Sequence, residues 1–232
     1  MALPALIAIS HGTSSADGQR AVTGLFDAVA QRLPGVASRL GHVDVQQPDV
    51  AASLASVDGP AVIVPLLLSA GYHVRVDLQR EISERDDVVI AGAMGPDPRL
   101  AQVLADRLGE LEPGVRVVLA VAGSSDDRAN EDCREIARQL AELLGRDVAV
   151  GFLAAAEPRL DAAVAEAAAS APVVVANYLL APGYFHDLAV RMAAGHRVAD
   201  PLLLPDAPAP ASLVDLVIDR YEDAAAGRAA AR

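Results

Sequence analysis

Two short stretches of the 232-residue chain gather reactive side chains directly after apolar runs. Ser10-His11-Gly12-Thr13-Ser14 starts at the last residue of ALIAIS (residues 5–10), and a run from Ser69 through Gly71, Tyr72, His73 and Arg75 to Asp77 follows AVIVPLLL (residues 61–68). Two imidazoles, His11 and His73, suit two chemistries: neutral nitrogen ligation of a divalent first-row metal, or proton uptake near neutral pH. A lone histidine is more often a helix cap or the partner of a buried carbonyl. Two of them at two strand ends shift the balance toward a site. Gly12 and Gly71, each beside one of the histidines, leave room for another backbone or a flat ligand. His42 and His196 stand in less punctuated contexts and read as structural; His186, in GYFHD, is intermediate.

The elements that must position these groups alternate. ALIAIS, AVIVPLLL and DVVIA (87–91) read as strands, with helices expected from Asp17 to Arg32, from about Arg75 to Glu84, and after Asp97-Pro98, a cap and first-turn pair. VRVVLAV (115–121) restarts the scheme, followed by a helix from Asp126 to Leu144, the strand DVAVGFL, a helix opening at Glu157-Pro158, and PVVVANYLLAPGYFHD. Strand–helix alternation predicts a parallel sheet, whose ligands bind outside the carboxyl ends of the strands. A flavodoxin-like order makes the strands before His11 and before His73 neighbours.

The restart is a repeat. Gly12 and Ser14 fall over Gly123 and Ser125, and Gly71 and Tyr72 over Gly183 and Tyr184, at offsets that agree within one residue. QQPDVAASLA over AEPRLDAAVA is a weaker third match. The fold class expected is α/β: two similar flavodoxin-like lobes, residues 1–112 and 113–232, joined near LEPGVR (111–116), with a cleft between them. Where the first lobe has His11 and His73, the second has Ala122 and Phe185. Histidine chemistry thus belongs to the first lobe, and an apolar wall opposite it suits a large flat ligand.

Composition narrows the function. The net charge of −12 argues against nucleic acid, which needs a basic face. No stretch approaches the roughly 18 apolar residues of a membrane span, and MALPALIAISHG lacks the basic flank of a signal peptide, so a cytoplasmic protein is expected. Aromatic residues make up 3 % and Val, Leu and Ala dominate, as in a sheet covered on both faces. The single cysteine, Cys133, excludes an internal disulfide or a Cys-ligated cluster and reads as a small semi-buried side chain. GTSS and AGSSDD could form anion-binding turns, but no Gly-Lys-Ser/Thr, G-x-G-x-x-G or G-x-S-x-G accompanies them, and no nucleotide is expected.

LIAISHGTSS together with VPLLLSAGYHVRVDL resembles the sirohydrochlorin chelatases, in their long, internally duplicated form, across essentially the whole chain. The resemblance implies insertion of a divalent metal, Fe2+ or Co2+, into sirohydrochlorin without ATP, for sirohaem or a cobalamin precursor, with His11 and His73 as metal ligands and catalytic groups. It implies substrate contacts from Ser10, Gly12, Ser69, Gly71, Tyr72 and Arg75, the last toward carboxylates, with Asp77 behind the site or at a helix start. Thr13-Ser14 stands where the family's first motif commonly has Ser-Arg. The absence of a His-rich tail leans slightly toward iron, and a duplicated chain is expected to be a monomer. Two other readings stay open: a non-catalytic tetrapyrrole or metal carrier, and an α/β enzyme acting with His11 on a phosphorylated small molecule.

Overall fold

The computed structural model describes residues 3–69, 78–83 and 85–230. The first half contributes β1 (Ala5–Ser10), α1 (Ala16–Arg32), β2 (Ser38–His42), α2 (Val50–Ala55), β3 (Ala61–Pro65), β4 (Val88–Ile90) and α3 (Pro98–Leu108). The second contributes β5 (Arg116–Val121), α4 (Asp127–Leu144), β6 (Val148–Phe152), α5 (Leu160–Ala168), β7 (Val173–Tyr178), α6 (Tyr184–Met192), β8 (Arg197–Val198) and α7 (Ala211–Ala230). Each half builds a four-stranded parallel sheet, ordered β2-β1-β3-β4 and β6-β5-β7-β8. The strand before His11 therefore does lie beside β3, in the order expected of a flavodoxin-like sheet.

Alternate residues of the central strands enter different cores. Leu6, Ala8, Val62 and Val64 face a core shared by both halves, while Ala5, Ile7, Ile9, Ala61 and Ile63 face a separate outer core of the first sheet. The second sheet divides likewise, with Val117, Leu119 and Val121 inward and Val118 and Ala120 outward. Burial on both faces is why these strands appear in the sequence as continuous apolar runs.

The repeat is structural as well as textual. Val45 and Ala155 both adopt left-handed backbone (φ 67° and 58°), and Gln47–Pro48 and Glu157–Pro158 are both cis. His42 bridges to Asp49 as Phe152 bridges to Arg159. That bridge delays α5 to Leu160, later than the start expected at Glu157-Pro158. β3 ends at Pro65, short of the expected Leu68. Leu66 N–H still reaches the Ile9 carbonyl (2.7 Å), but Leu67 and Leu68 leave the sheet, their carbonyls taken by Met94 N–H (2.9 Å) and the Tyr178 hydroxyl (2.9 Å). Residues 78–81 are helical, within the helix expected over 75–84.

The halves exchange their last helices. α3 packs on α4 and β7 of the second half, and α7 packs on α1, β3 and β4 of the first. Asp97, only 9 % exposed, caps α3 by accepting from Arg99 N–H (3.0 Å) and receives Arg99 Nε (2.9 Å) and Nη2 (3.0 Å). Arg99 continues to Asp219 on α7 (2.6 Å), and Arg220 approaches Asp97 (3.5 Å) while bonding the Ala93 and Met94 carbonyls. Burial alone would raise the Asp97 pKa, but the Arg99 hydrogen bonds and the Arg99 and Arg220 charges outweigh it and hold the carboxyl below its ordinary range.

A depressed folded pKa contributes stability above the unfolded value of about 4 that is lost as pH falls through the folded one. Asp97→Asn keeps a cap acceptor but loses the charge. It is expected to cost about 1–3 kcal/mol at pH 7 and to flatten the acid limb below about pH 4. Thermal melts from neutral to acid pH check this; an acid limb identical to the parent's would refute it. No helix among the described residues is long and apolar enough to cross a membrane.

Candidate functional site

β1 is central in its sheet, and its carboxyl end meets the ends of both neighbours. Ser10 stands in register with His42 and Ile9 with Pro65. His11 follows directly and is exposed, its carbonyl accepting from Asp44 N–H (3.0 Å). Ser69, half-buried, is the last described residue of the chain leaving β3. Gly71, Tyr72, His73, Arg75 and Asp77 lie outside the described residues. The described structure thus brings the approach to the second motif beside His11 and stops there.

Gly12 has a φ of +92°, and a Cβ on it would collide with the Asp44 carbonyl. Gly123, at φ +85°, stands in the same relation to the Ala154 carbonyl. The second half keeps the glycine although it has Ala122 in place of His11. Gly12 therefore serves the crossing of the loop after β2, and the close approach anticipated in the sequence is made by backbone.

The rest of the His11 turn is held by side chains that the sequence did not single out. Gln46 Oε1 accepts from Thr13 N–H (2.9 Å), Gln19 Nε2 donates to the Thr13 carbonyl (2.8 Å), and Ser15 caps α1 by accepting from Gly18 N–H (3.3 Å). The Thr13 hydroxyl accepts from Ser15 N–H (3.1 Å). Gln46, Thr13 and Ser15 thus take up the Thr13, Ser15 and Gly18 N–H groups. In the second half Asn130 holds Ser124 in the same way, through Ser124 N–H (2.9 Å) and the Ser124 carbonyl (2.8 Å).

Ser10 is 3 % exposed, and its hydroxyl is hydrogen-bonded to Nδ1 of His42 (2.8 Å), itself 5 % exposed. The Ser10 side chain thus faces the protein interior. Burial pushes the His42 imidazole below its ordinary pKa. His186 bonds Asn177 Nδ2 through its Nδ1 (2.7 Å), fixing the first turn of α6 on β7, and His196 N–H closes the turn after α6 on the Ala193 carbonyl (3.0 Å). Burial pushes the Cys133 thiol up to about 12, so no thiolate is on offer there at neutral pH.

The second half reaches this turn through the loop between β7 and α6. A Cβ on Gly18 would strike the Pro182 carbonyl, and one on Gly183 would lie 3.2 Å from the Thr13 hydroxyl. Directly after Gly183 come Tyr184 and Phe185, both exposed, their rings edge-to-face at 5.6 Å, with the Arg191 guanidinium 6.0 Å over Tyr184. An aromatic surface with one cation therefore begins beside the histidine turn, where the repeat put Phe185 in place of His73.

The CbiX family model matches this chain twice, over residues 5–111 and 116–200. A sirohydrochlorin cobaltochelatase of Sulfurisphaera tokodaii is 36 % identical over 78 residues, 31 % of this chain and 64 % of that protein, so the match spans less than two thirds of the relative. A sirohydrochlorin cobaltochelatase of Sulfolobus acidocaldarius is 26 % identical over 109 residues, 44 % of this chain and 87 % of its own. SirB from Bacillus subtilis, solved with Fe3+, shares the fold at a TM-score of 0.78 and 18 % identity over 98 % of each chain. With one model match on each half, the chain belongs to the CbiX family of sirohydrochlorin chelatases, its unit written twice.

Proposed function

We propose that the chain inserts a divalent metal, Fe2+ or Co2+, into sirohydrochlorin, with His11 and His73 sharing the metal. The observation that carries this is the pairing of β1 with β3, which starts both histidine-bearing segments from neighbouring carboxyl ends of one sheet. Two neutral imidazoles bind a first-row metal firmly enough to strip part of its water and weakly enough to release it; thiolates would hold it too tightly. Metallation also frees two pyrrole protons, and the two imidazoles, once they have given up the metal, accept one each.

In this reading Arg75 meets a substrate carboxylate, and Ser69, Gly71 and Tyr72 form the rim between it and His11. Gly12 shapes the turn. Residues 1–112 supply the chemistry and 113–232 the opposing surface of one monomer working in the cytoplasm, with no nucleotide in the cycle. The curated relatives are named for cobalt, and SirB has been solved both with Fe3+ and with cobalt, so both metals belong in the test.

The test is anaerobic mixing of protein with excess sirohydrochlorin and either ion, followed by tetrapyrrole absorption. Conversion of many equivalents per chain is expected. A change that stops at one equivalent would mark a carrier, and no change would contradict the proposal.

A net charge of −12 opposes long-range capture of a polycarboxylate, so local cations such as Arg191 have to hold it at short range. Raising ionic strength from about 0.01 M to about 0.15 M is expected to leave KM unchanged or lower it. A steep rise in KM with salt would show that attraction at a distance dominates.

A further inference from the structure

The first half holds a buried polar pair that its repeat does without. Ser10 and His42 face each other across the β1–β2 register with their side chains hydrogen-bonded at 2.8 Å. His42 packs beside the His11 turn: its Cβ would be 3.5 Å from a Cβ on Gly12. At the same register of β5 and β6 stand Val121 and Phe152, both 0 % exposed.

A buried neutral hydrogen bond contributes only about 0.5–1.5 kcal/mol, and replacing both partners by apolar groups is close to neutral. The second half demonstrates that replacement, with the same strand order, the same glycine and the same left-handed residue after the edge strand. The fold therefore does not require Ser10 and His42. What distinguishes the half that carries them is the histidine next door, His11, where the other half has Ala122.

We propose that Ser10 and His42 are positioning residues for His11: their bond fixes the last residue of β1 and so the direction in which the His11 side chain leaves the sheet. The inference rests on the metal-insertion reading. Burial disfavours the charged form of His42, which keeps a second positive charge away from an incoming cation. Partners behind a metal ligand change metal affinity or activity by roughly 10- to 100-fold when removed.

The experiment is Ser10→Val/His42→Phe, which writes the second half's pair into the first. Co2+ alone, titrated and read by visible absorption, is expected to bind about 10-fold more weakly. Metallation kcat is expected to fall roughly 10- to 100-fold with KM for the tetrapyrrole unchanged, and the melting temperature to hold. Parental Co2+ affinity and kcat would overturn the inference. If the double variant does not fold, Ser10→Ala, which removes one oxygen, should weaken Co2+ binding and slow turnover in the same direction; parental values there overturn it equally. His11→Ala in the same titration separates the two claims. If it binds Co2+ and turns over like the parent, the metal-site reading has failed and this inference with it. If it loses both while the Ser10 and His42 variants lose neither, only the positioning role has failed.

Discussion

His11→Ala is expected to lower kcat for metallation by roughly 10²- to 10⁴-fold, the range for removing a positioned proton acceptor, while the protein folds as before. His11 is exposed and makes no side-chain bond among those described, so its removal falls in the class of surface changes within about 0.5 kcal/mol. The repeat strengthens the argument, because Ala122 already occupies the same place after β5 with the same glycine behind it. A melting temperature within about 2 °C of the parent beside a collapsed kcat is the expected pair of results. His73→Phe, taken from Phe185, is expected to behave alike. Full activity in both variants would remove the imidazoles from the mechanism.

The largest loss of stability is expected at Gly12 and Gly123. A methyl group at either would have to displace a backbone carbonyl, Asp44 in one half and Ala154 in the other, from a residue already at φ +92° or +85°. Backbone strain of this kind costs about 1–3 kcal/mol by itself, and moving a loop anchored on the neighbouring strand adds to it. Gly12→Ala and Gly123→Ala should therefore each cost about 3 kcal/mol or more and lower the melting temperature by roughly 6–12 °C. The two should be similar in stability but not in activity: only Gly12→Ala disturbs the turn that carries His11. Thermal melts and kcat of the folded fractions check both statements. A Gly12→Ala protein as stable as the parent would mean that the loop after β2 does not cross there.

Much of this was legible in the sequence because the relevant residues are punctuated or repeated. β1, β3, β5 and β7 are buried on both faces and so appear as uninterrupted apolar runs. Asp97 and Asp126 announce their helices because a carboxylate there takes up free N–H groups. β2 is different. SRLGH is an edge strand with exposed positions, and nothing in its composition marks it, although its twin β6 showed through in DVAVGFL. Without β2, the partner of Ser10 could not be found, and His42 read as a generic structural histidine. The exchange of α3 and α7 was equally hidden, since an amphipathic helix carries no label for the sheet it covers. Gln19, Gln46 and Asp44 act on the His11 turn through backbone groups, which any sequence possesses.

The central claim is that two imidazoles of the first half share one metal. X-ray absorption of the Co2+-loaded protein, free of tetrapyrrole, addresses it most directly. The parent should show two imidazole nitrogens at about 2.0–2.1 Å, the distance typical of first-row ions such as zinc, with His11→Ala and His73→Ala each losing one of them. A cobalt site whose spectrum is unchanged in both variants would contradict the account.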